Sequence, residues 1–422
     1  MAIKGSGSPM EAVDEYFDML IKSRFIEMFE DQNYQLIRLG DILKQNTTVT
    51  KVDCPDKETF VTLSSKGRGA KKREIKDGKT PVAFSGYRIH AGQFIYSRID
   101  ARNAAFDIVP ECLEGAVVSK DFPVFDFDTN AIEPVYLLHS VLQNSFIEQI
   151  QSSSFGATNR QRIKEETMMN YSIVLPPLSK QREYSQFVQL TIIIKKHYQQ
   201  LMDSFDILVK SRFIEMFGDP YLSPKYQKMP FMHCLDFNPG KSEVKNVPDD
   251  LMVSFVPMDS VGTDGSIDVS KEKTLGEVRK GYTYFRDNDV VFAKITPCFE
   301  NGKVSIAKKC RNGIGFGTTE FHVARPKEGI SNSTWLFYLL RSDSLRMLAS
   351  GNMSGTAGQK RVQQPFFEKI SIGLPPINEQ ESFASFVKQV DKSKFEVVQS
   401  LLRLKSKYIR TETPSKRTDC DL

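Results

Sequence analysis

SKQREYSQFVQLTIIIKKHYQQLMDSFDILVKSRFIEMF, residues 179–217, decides the fold. It holds no Gly and no Pro, so nothing in it stops a helix. Its apolar residues fall at alternating spacings of three and four: Tyr184, Phe187, then (past Thr191) Ile194, Tyr198, Leu201, Phe205 and Leu208. A heptad seam sustained this long predicts a helix packed lengthwise on another helix. At about 1.5 Å rise per residue it would be roughly 55 Å long, a ruler between two halves of the protein.

The partner of that ruler is encoded in the same chain. Lys210-Ser-Arg-Phe-Ile-Glu-Met-Phe217 occurs letter for letter as Lys22 to Phe29, 188 residues earlier. Phe17 and Leu20 match Phe205 and Leu208 in the same register, and Met10 and Val13 take the places of Tyr198 and Leu201. Upstream, Ser172-Ile-Val-Leu-Pro-Pro-Leu-Ser-Lys-Gln181 answers Ser371-Ile-Gly-Leu-Pro-Pro-Ile-Asn-Glu-Gln380, 199 residues later. Phe187 then corresponds to Phe386, and Val390, Val397, Leu401 and Leu404 continue a distal seam. The central helix is whole and its counterpart is split between the chain ends. So long a period means two copies of one module, not a solenoid of short units.

Composition bounds the rest. A chain of 422 residues, 40% hydrophobic, can fill two or three domain cores. No run reaches bilayer-spanning length, and the opening MAIKGSGSP lacks a signal-peptide core and reads as a flexible leader. Six scattered cysteines without paired spacing fit thiols in a reducing cytoplasm rather than a disulfide frame or zinc site. A net charge of +5 permits a polyanionic partner without demanding one.

These signals predict a leader over 1–9, an N-terminal helix over 10–30, a mixed globular domain over 31–178 and the central helix over 179–217. A second mixed domain follows over 218–377, then a distal helix over 378–412 and a flexible tail over 413–422. Asp289-Val-Val-Phe-Ala-Lys-Ile295 stands where Gln93-Phe-Ile-Tyr-Ser-Arg-Ile99 stood, and Trp335–Leu340 replaces the helix expected at Val135–Leu142. Gly355-Thr-Ala-Gly-Gln-Lys-Arg361 replaces Gly156-Ala-Thr-Asn-Arg-Gln-Arg162. Between these anchors the domains share little, as expected of one fold presenting two different surfaces.

The chain resembles the specificity subunit of a type I DNA restriction–modification system. The likeness is carried by the duplicated SRFIEMF and by the two Leu-Pro-Pro segments that lead into helices. Thr296-Pro-Cys-Phe-Glu-Asn-Gly-Lys303, Gly315-Phe-Gly-Thr-Thr-Glu-Phe321 and Tyr96-Ser-Arg-Ile-Asp-Ala-Arg102 add to it. The resemblance implies an α+β fold with two target-recognition domains separated by two long antiparallel helices. It also implies a non-catalytic cytoplasmic subunit that reads a bipartite, asymmetric duplex. Two methyltransferase subunits and the translocating nuclease subunits would be its partners. No cofactor is expected in this subunit; S-adenosylmethionine, ATP and Mg²⁺ belong on the partners.

Basic residues supply the contact candidates. Ser65-Lys-Gly-Arg-Gly-Ala-Lys-Lys-Arg-Glu-Ile-Lys76 reads as a glycine-punctuated loop whose Lys66, Arg68, Lys71, Lys72 and Arg73 can lie along phosphates or reach guanine edges. Arg98 and Arg102 follow a strand and have two readings, ion pairing with Asp100 or phosphate contact. Arg279, Lys280, Lys294 and Lys303 are the candidates in the second domain. Arg160, Arg162, Lys360 and Arg361 sit in the recurring loops, where packing against the helix base competes with backbone clamping. The off-seam Val188, Ile192, Ile193, Val209, Val398 and Leu402 predict packing on the domains or docking of other subunits.

Enzyme readings are weak. Asp56 with Glu74 and Lys76 loosely matches a metal-dependent nuclease, the second competing reading after a coiled-coil assembly scaffold. Gly78-Lys79-Thr80 lacks the glycine of a phosphate loop, and no Asn/Asp-Pro-Pro-aromatic motif for methyl transfer occurs. The five histidines show no paired ligand spacing, and Trp335 reads as core.

Overall fold

The computed structural model describes residues 9–30, 32–74, 82–152, 162–355 and 358–408; the leader, the tail, Lys76 and Arg160 lie outside them. They divide into two compact units, residues 15–196 (the N-unit) and residues 197–408 with 9–14 (the C-unit). Each mixes helices with mainly antiparallel sheets. No helix among the described residues is long and apolar enough to cross a membrane.

In the N-unit, α1 (Pro9–Phe29) leads to a strand, Gln35–Arg38, paired antiparallel with Ser172–Leu175, and to the one-turn α2 (Leu39–Ile42). A four-stranded antiparallel sheet runs Leu43–Asn46, Val124–Phe127, Phe94–Tyr96, Phe106–Ile108. Every residue of Phe94–Tyr96 is buried, as expected of a strand covered on both faces. Pro134 starts α3 (Pro134–Val141), with Glu133 capping the N–H groups of Val135 and Tyr136. Then come α4 (Asn144–Ser152) and α5 (Glu165–Met169). Tyr136, Leu137, Val141 and Phe146 from these helices join the sheet's Phe94, Tyr96, Phe106 and Phe125 in one core. A separate three-stranded sheet runs Val49–Val52, Phe84–Arg88, Val117–Ser119.

The long α6 (Leu178–Phe217) continues without interruption. The C-unit repeats the same frame, with Leu235–Phe237, Phe321–Pro326, Val290–Ala293 and Val304–Ile306 as its four-stranded sheet. After the short α7 (Leu275–Val278) come α8 (Ser333–Leu340), α9 (Asp343–Ser350) and α10 (Gln364–Lys369). The chain then forms α11 (Ile377–Tyr408). Trp335 is fully buried in this core. The second sheet is where the units part. In the C-unit it has four strands, Glu272–Thr274, Met252–Val256, Ile314–Gly317 and Thr283–Arg286, with a parallel central pair.

The helix pairing differs from the expected seam in phase. In the N-unit, Arg24 bonds Glu183 and Lys195 pairs with Asp18, so α1 and α6 run antiparallel. In the C-unit, Asp206 pairs with Lys394 and Arg212 lies over Phe386, so α6 and α11 do the same. Tyr184, Thr191 and Tyr198 are buried and Phe205 half-buried, as the spacing required. Between them, however, Val188, Met202 and Val209 are the buried members, at 2–8% exposure, and Ile194, Leu201 and Leu208 are 41–49% exposed. The expected seam took the right residue of each heptad pair once and the neighbour of the other. Lys195, half-buried, fills one true slot, so apolarity alone misplaced the stripe toward Ile192–Ile194. Phe187 stays half-buried beneath the Arg24 guanidinium. On α1, Phe17 is buried and Leu20 half-buried. On α11, Phe383, Val387 and Val390 are buried and Phe386, Val397 and Leu401 half-buried, while the side chain of Leu404 lies outside the description.

The duplicated letters have a physical cause. Phe25 and Phe29 of the first SRFIEMF pack on Tyr136 and Tyr184, with ring centroids 4.9–5.8 Å apart. Phe213 and Phe217 of the second pack on Phe383 at 5.4 and 5.5 Å. The glutamines after the Leu-Pro-Pro segments are wholly buried. Gln181 Nε2 donates to Pro176 O and its Oε1 accepts from Glu133 N. Gln380 Nε2 donates to Pro375 O and Ile330 O, and its Oε1 accepts from Asn332 N. One amide therefore ties the start of a long helix to the cap of α3 or α8. An alanine there would strand buried backbone groups at about 1–3 kcal/mol each.

Candidate nucleic-acid interface

The basic stretch expected as a loop is a β-hairpin. Val61–Ser64 pairs antiparallel with Gly69–Lys72, and Val61 and Leu63 are buried on one side. Its tip needs left-handed backbone: Gly69 has φ 74°, and a Cβ there would stand 2.7 Å from Asp107 Oδ2. The hairpin is pinned by Lys66 N–H to Asn103 O, Gly67 N–H to Ala104 O and Ala70 N–H to Asp107 Oδ2, at 2.6–2.9 Å. Burial raises the carboxyl of Asp107 above its ordinary range, although the Ala70 and Ile108 N–H groups stabilise its charge. Lys66, Arg68, Lys71, Lys72 and Arg73 are all exposed, and among the described residues none forms an ion pair. A rigid ribbon carrying five such cations suits a run of phosphates.

Several predicted arginines are already engaged. Arg98 bonds Glu165 of α5, not Asp100. Arg162 pairs with Asp121 at 3.0 Å. Arg279 pairs with Asp249 and donates to Val247 O, fixing the loop ahead of the second sheet. Arg361 makes three bonds of 2.9–3.2 Å to Glu320, and this arginine holds the Glu320 carboxyl below the usual carboxylate range, with Lys294 adding to it. Lys303 Nζ donates to Met258 O. Lys280 and Lys360 are exposed and Lys294 half-buried. Arg102 lies beside the hairpin tip, its carbonyl accepting from Gln151.

The described part of the recurring loop in the C-unit clasps its neighbour. Thr296 N–H donates to Lys360 O, Lys360 N–H to Thr296 Oγ1, and Thr296 Oγ1 to Gly358 O. Sequence reasoning missed Lys273, whose ammonium sits 4.7 Å from the Phe255 ring and 5.9 Å from Tyr282. Its only signal was the alternation in Lys271-Glu-Lys273 on an edge strand. No group of three or more His, Cys, Asp or Glu able to hold a metal occurs among the described residues. His322 is buried and His139 half-buried, and desolvation by the surrounding protein lowers both pKa values to about 4.

Comparison with known proteins fits this geometry. Residues 238–403 match the model of the type I restriction modification DNA specificity domain. The EcoEI specificity subunit of a type I restriction enzyme from Escherichia coli is 44% identical over 140 residues, 33% of this chain and 23% of that protein. The EcoAI specificity subunit, also from Escherichia coli, is 46% identical over 135 residues, 32% of this chain and 23% of that protein. The matches thus span under a quarter of each relative's length. A chain from a structural study of complex assembly and conformational transition in the type I R-M system shares the fold. The superposition has a TM-score of 0.52 and 18% identity, covering 89% of this chain and 94% of that one.

Proposed function

With a type I restriction modification DNA specificity domain in the chain, we propose that the protein is a non-catalytic, sequence-reading DNA-binding subunit. Each unit reads one half of a bipartite, asymmetric duplex. The single observation that carries this reading is the duplicated frame around unlike surfaces. Both units share the four-stranded sheet order and the buried glutamine, yet differ in the second sheet. Two unlike reading heads on one frame suit an asymmetric target, whereas two copies of one task would keep the surfaces alike. The paired helices act as the spacer: 40 residues of α6 rise about 60 Å, longer than the roughly 34–36 Å repeat of the major groove.

In this reading, the hairpin cations and Lys273 grip phosphates, with Lys271 already paired to Asp259. The carboxylate-paired Arg98, Arg162, Arg279 and Arg361 hold the loops that present them. Methyl transfer and cleavage belong to partner modification and restriction subunits that carry S-adenosylmethionine, ATP and Mg²⁺, in the cytoplasm. Exposed Leu190, Ile192, Ile193 and Ile207 on α6 supply apolar surface for those partners.

The test is a gel-shift selection from random duplexes with the purified chain and its methyltransferase partner. One bipartite sequence should be enriched, with affinity falling steeply as salt rises. Enrichment of no sequence would leave the protein a coiled-coil scaffold, and cutting by the chain with Mg²⁺ alone would make it a nuclease.

A further inference from the structure

A hollow of about 800 Å³ opens in the N-unit between α1, the hairpin tip, residues 102–104 and helices α3 and α4. Its apolar lining comes from the half-buried Ile21, Leu142 and Ile147, with the wholly buried Tyr184 beneath them. His139 forms part of the wall, hydrogen-bonded to Tyr184 Oη and held neutral at pH 7 by burial. Positive charge is therefore confined to the rim, where Lys22, Lys66, Arg68 and Arg102 converge from three separate stretches of chain. Two carboxylates also reach the opening, Asp18 and Glu148, and Asp18 is already paired with Lys195 at 3.6 Å.

The C-unit treats the same place differently. By the 199-residue repeat, Leu142 and Ile147 correspond to Arg341 and Arg346. Arg341 lies over the Phe337 ring at 5.0 Å and donates to Thr263 O, and Arg346 donates to Glu300 O. The C-unit thus places two engaged guanidinium groups at the positions where the N-unit has the apolar Leu142 and Ile147.

We propose that this hollow binds a nucleoside phosphate. The rim cations hold the phosphate through charge-assisted hydrogen bonds, and the base lies on Ile21, Leu142 and Ile147. The Asn144 amide and the Gln143 Oε1, whose Nε2 donates to His139 O, meet its polar edge. The volume suits one such ligand, since pockets for compact organic molecules run about 300–1,000 Å³. A nucleoside phosphate has two sources, a free nucleotide or one unpaired nucleotide of a bound strand. Only the second rests on the DNA-reading proposal.

Calorimetry on the full chain tests it with AMP, with inorganic phosphate, and with short duplexes that carry or lack one unpaired adenosine. AMP, or the duplex with the unpaired nucleotide, should bind saturably and better than phosphate or the fully paired duplex. Lys22→Ala, an exposed change, should weaken that binding about tenfold, the worth of one charged hydrogen bond. Ile147→Arg, which copies the C-unit, should abolish it while the melting temperature stays near that of the parent. Equal binding of phosphate and AMP overturns the inference, as does an affinity untouched by both substitutions or no saturable binding in either arm. AMP binding alongside a random-duplex selection that enriches no sequence would sink the DNA reading and leave this site standing.

Discussion

One cross-strand slot, built twice, distinguishes the two units: its acceptor is the exposed Asp126 in one and the buried Asp289 in the other. In the N-unit, Gln93 Nε2 donates to Asp126 Oδ1 at 2.8 Å across the four-stranded sheet. At the corresponding points of the C-unit, Asp289 accepts two 2.8 Å bonds from Arg325. The sheet demands a donor facing an acceptor there but is indifferent to which strand supplies which, and to charge. The C-unit's choice has consequences, because Arg325 also bonds Glu243, which accepts from Tyr284 and Arg286. An ion pair this deep needs a retinue of partners; a neutral amide does not.

That contrast can be broken most forcefully at Asp289. Asp289→Ala leaves Arg325 buried without its carboxylate and should cost about 3–5 kcal/mol, against about 1–2 kcal/mol for Gln93→Ala. Urea midpoints at constant slope measure both. Similar losses would mean that the slot, not the charge, sets the energy.

Acid sharpens the comparison next, since each unit holds one desolvated, neutral histidine, half-buried in the N-unit and buried in the C-unit. The folded pKa of His139 and of His322 is lowered to about 4 from an ordinary 6.5. Their neutral forms favour folding fully above pH 6.5, and that stability drains away as pH falls from 6.5 towards 4, on the order of 3 kcal/mol per histidine at the limit. His139→Gln should flatten this window in the N-unit alone, read by hydrogen exchange in each unit between pH 7 and 4.5.

The glutamine ties test whether the frames are equivalent. Gln181→Ala and Gln380→Ala should each lose about 2 kcal/mol, and a gap of more than about 1 kcal/mol between their unfolding midpoints would show that one frame depends on its tie more than the other. Smallest is the contrast along α6. Val188→Ala should cost about 2 kcal/mol and Ile194→Ala no more than about 0.5 kcal/mol in the isolated chain, reversing the order implied by the apolar stripe.

The frame was legible because it is written twice in nearly the same letters: the phenylalanines of SRFIEMF and the Leu-Pro-Pro segments ending in Gln181 and Gln380. Seam phase was less so, since Thr191 and Lys195 occupy seam slots that hydrophobicity does not mark, and Ile192–Ile194 imitate them. Among the candidate contacts, exposed hairpin cations were readable as a cluster. The engagement of Arg361 by Glu320, 41 residues away, and of Arg98 by Glu165, 67 residues away, was not, because chain folding alone brings these charges together. The hairpin itself was read as a loop, its glycines suggesting irregularity where they serve a tight tip.

Because α6 gives residues 178–196 to one unit and 197–217 to the other, each unit owns a helical pair drawn half from the middle of the chain and half from near an end. A protease nick after Lys196 would therefore cross no sheet and open neither core. One fragment would keep α1 with residues 178–196 and the other α11 with residues 197–217. Asp14 of α1 and Gln199 beyond the nick stay bonded and hold the pieces together, which makes this peptide bond a natural seat for a split reporter.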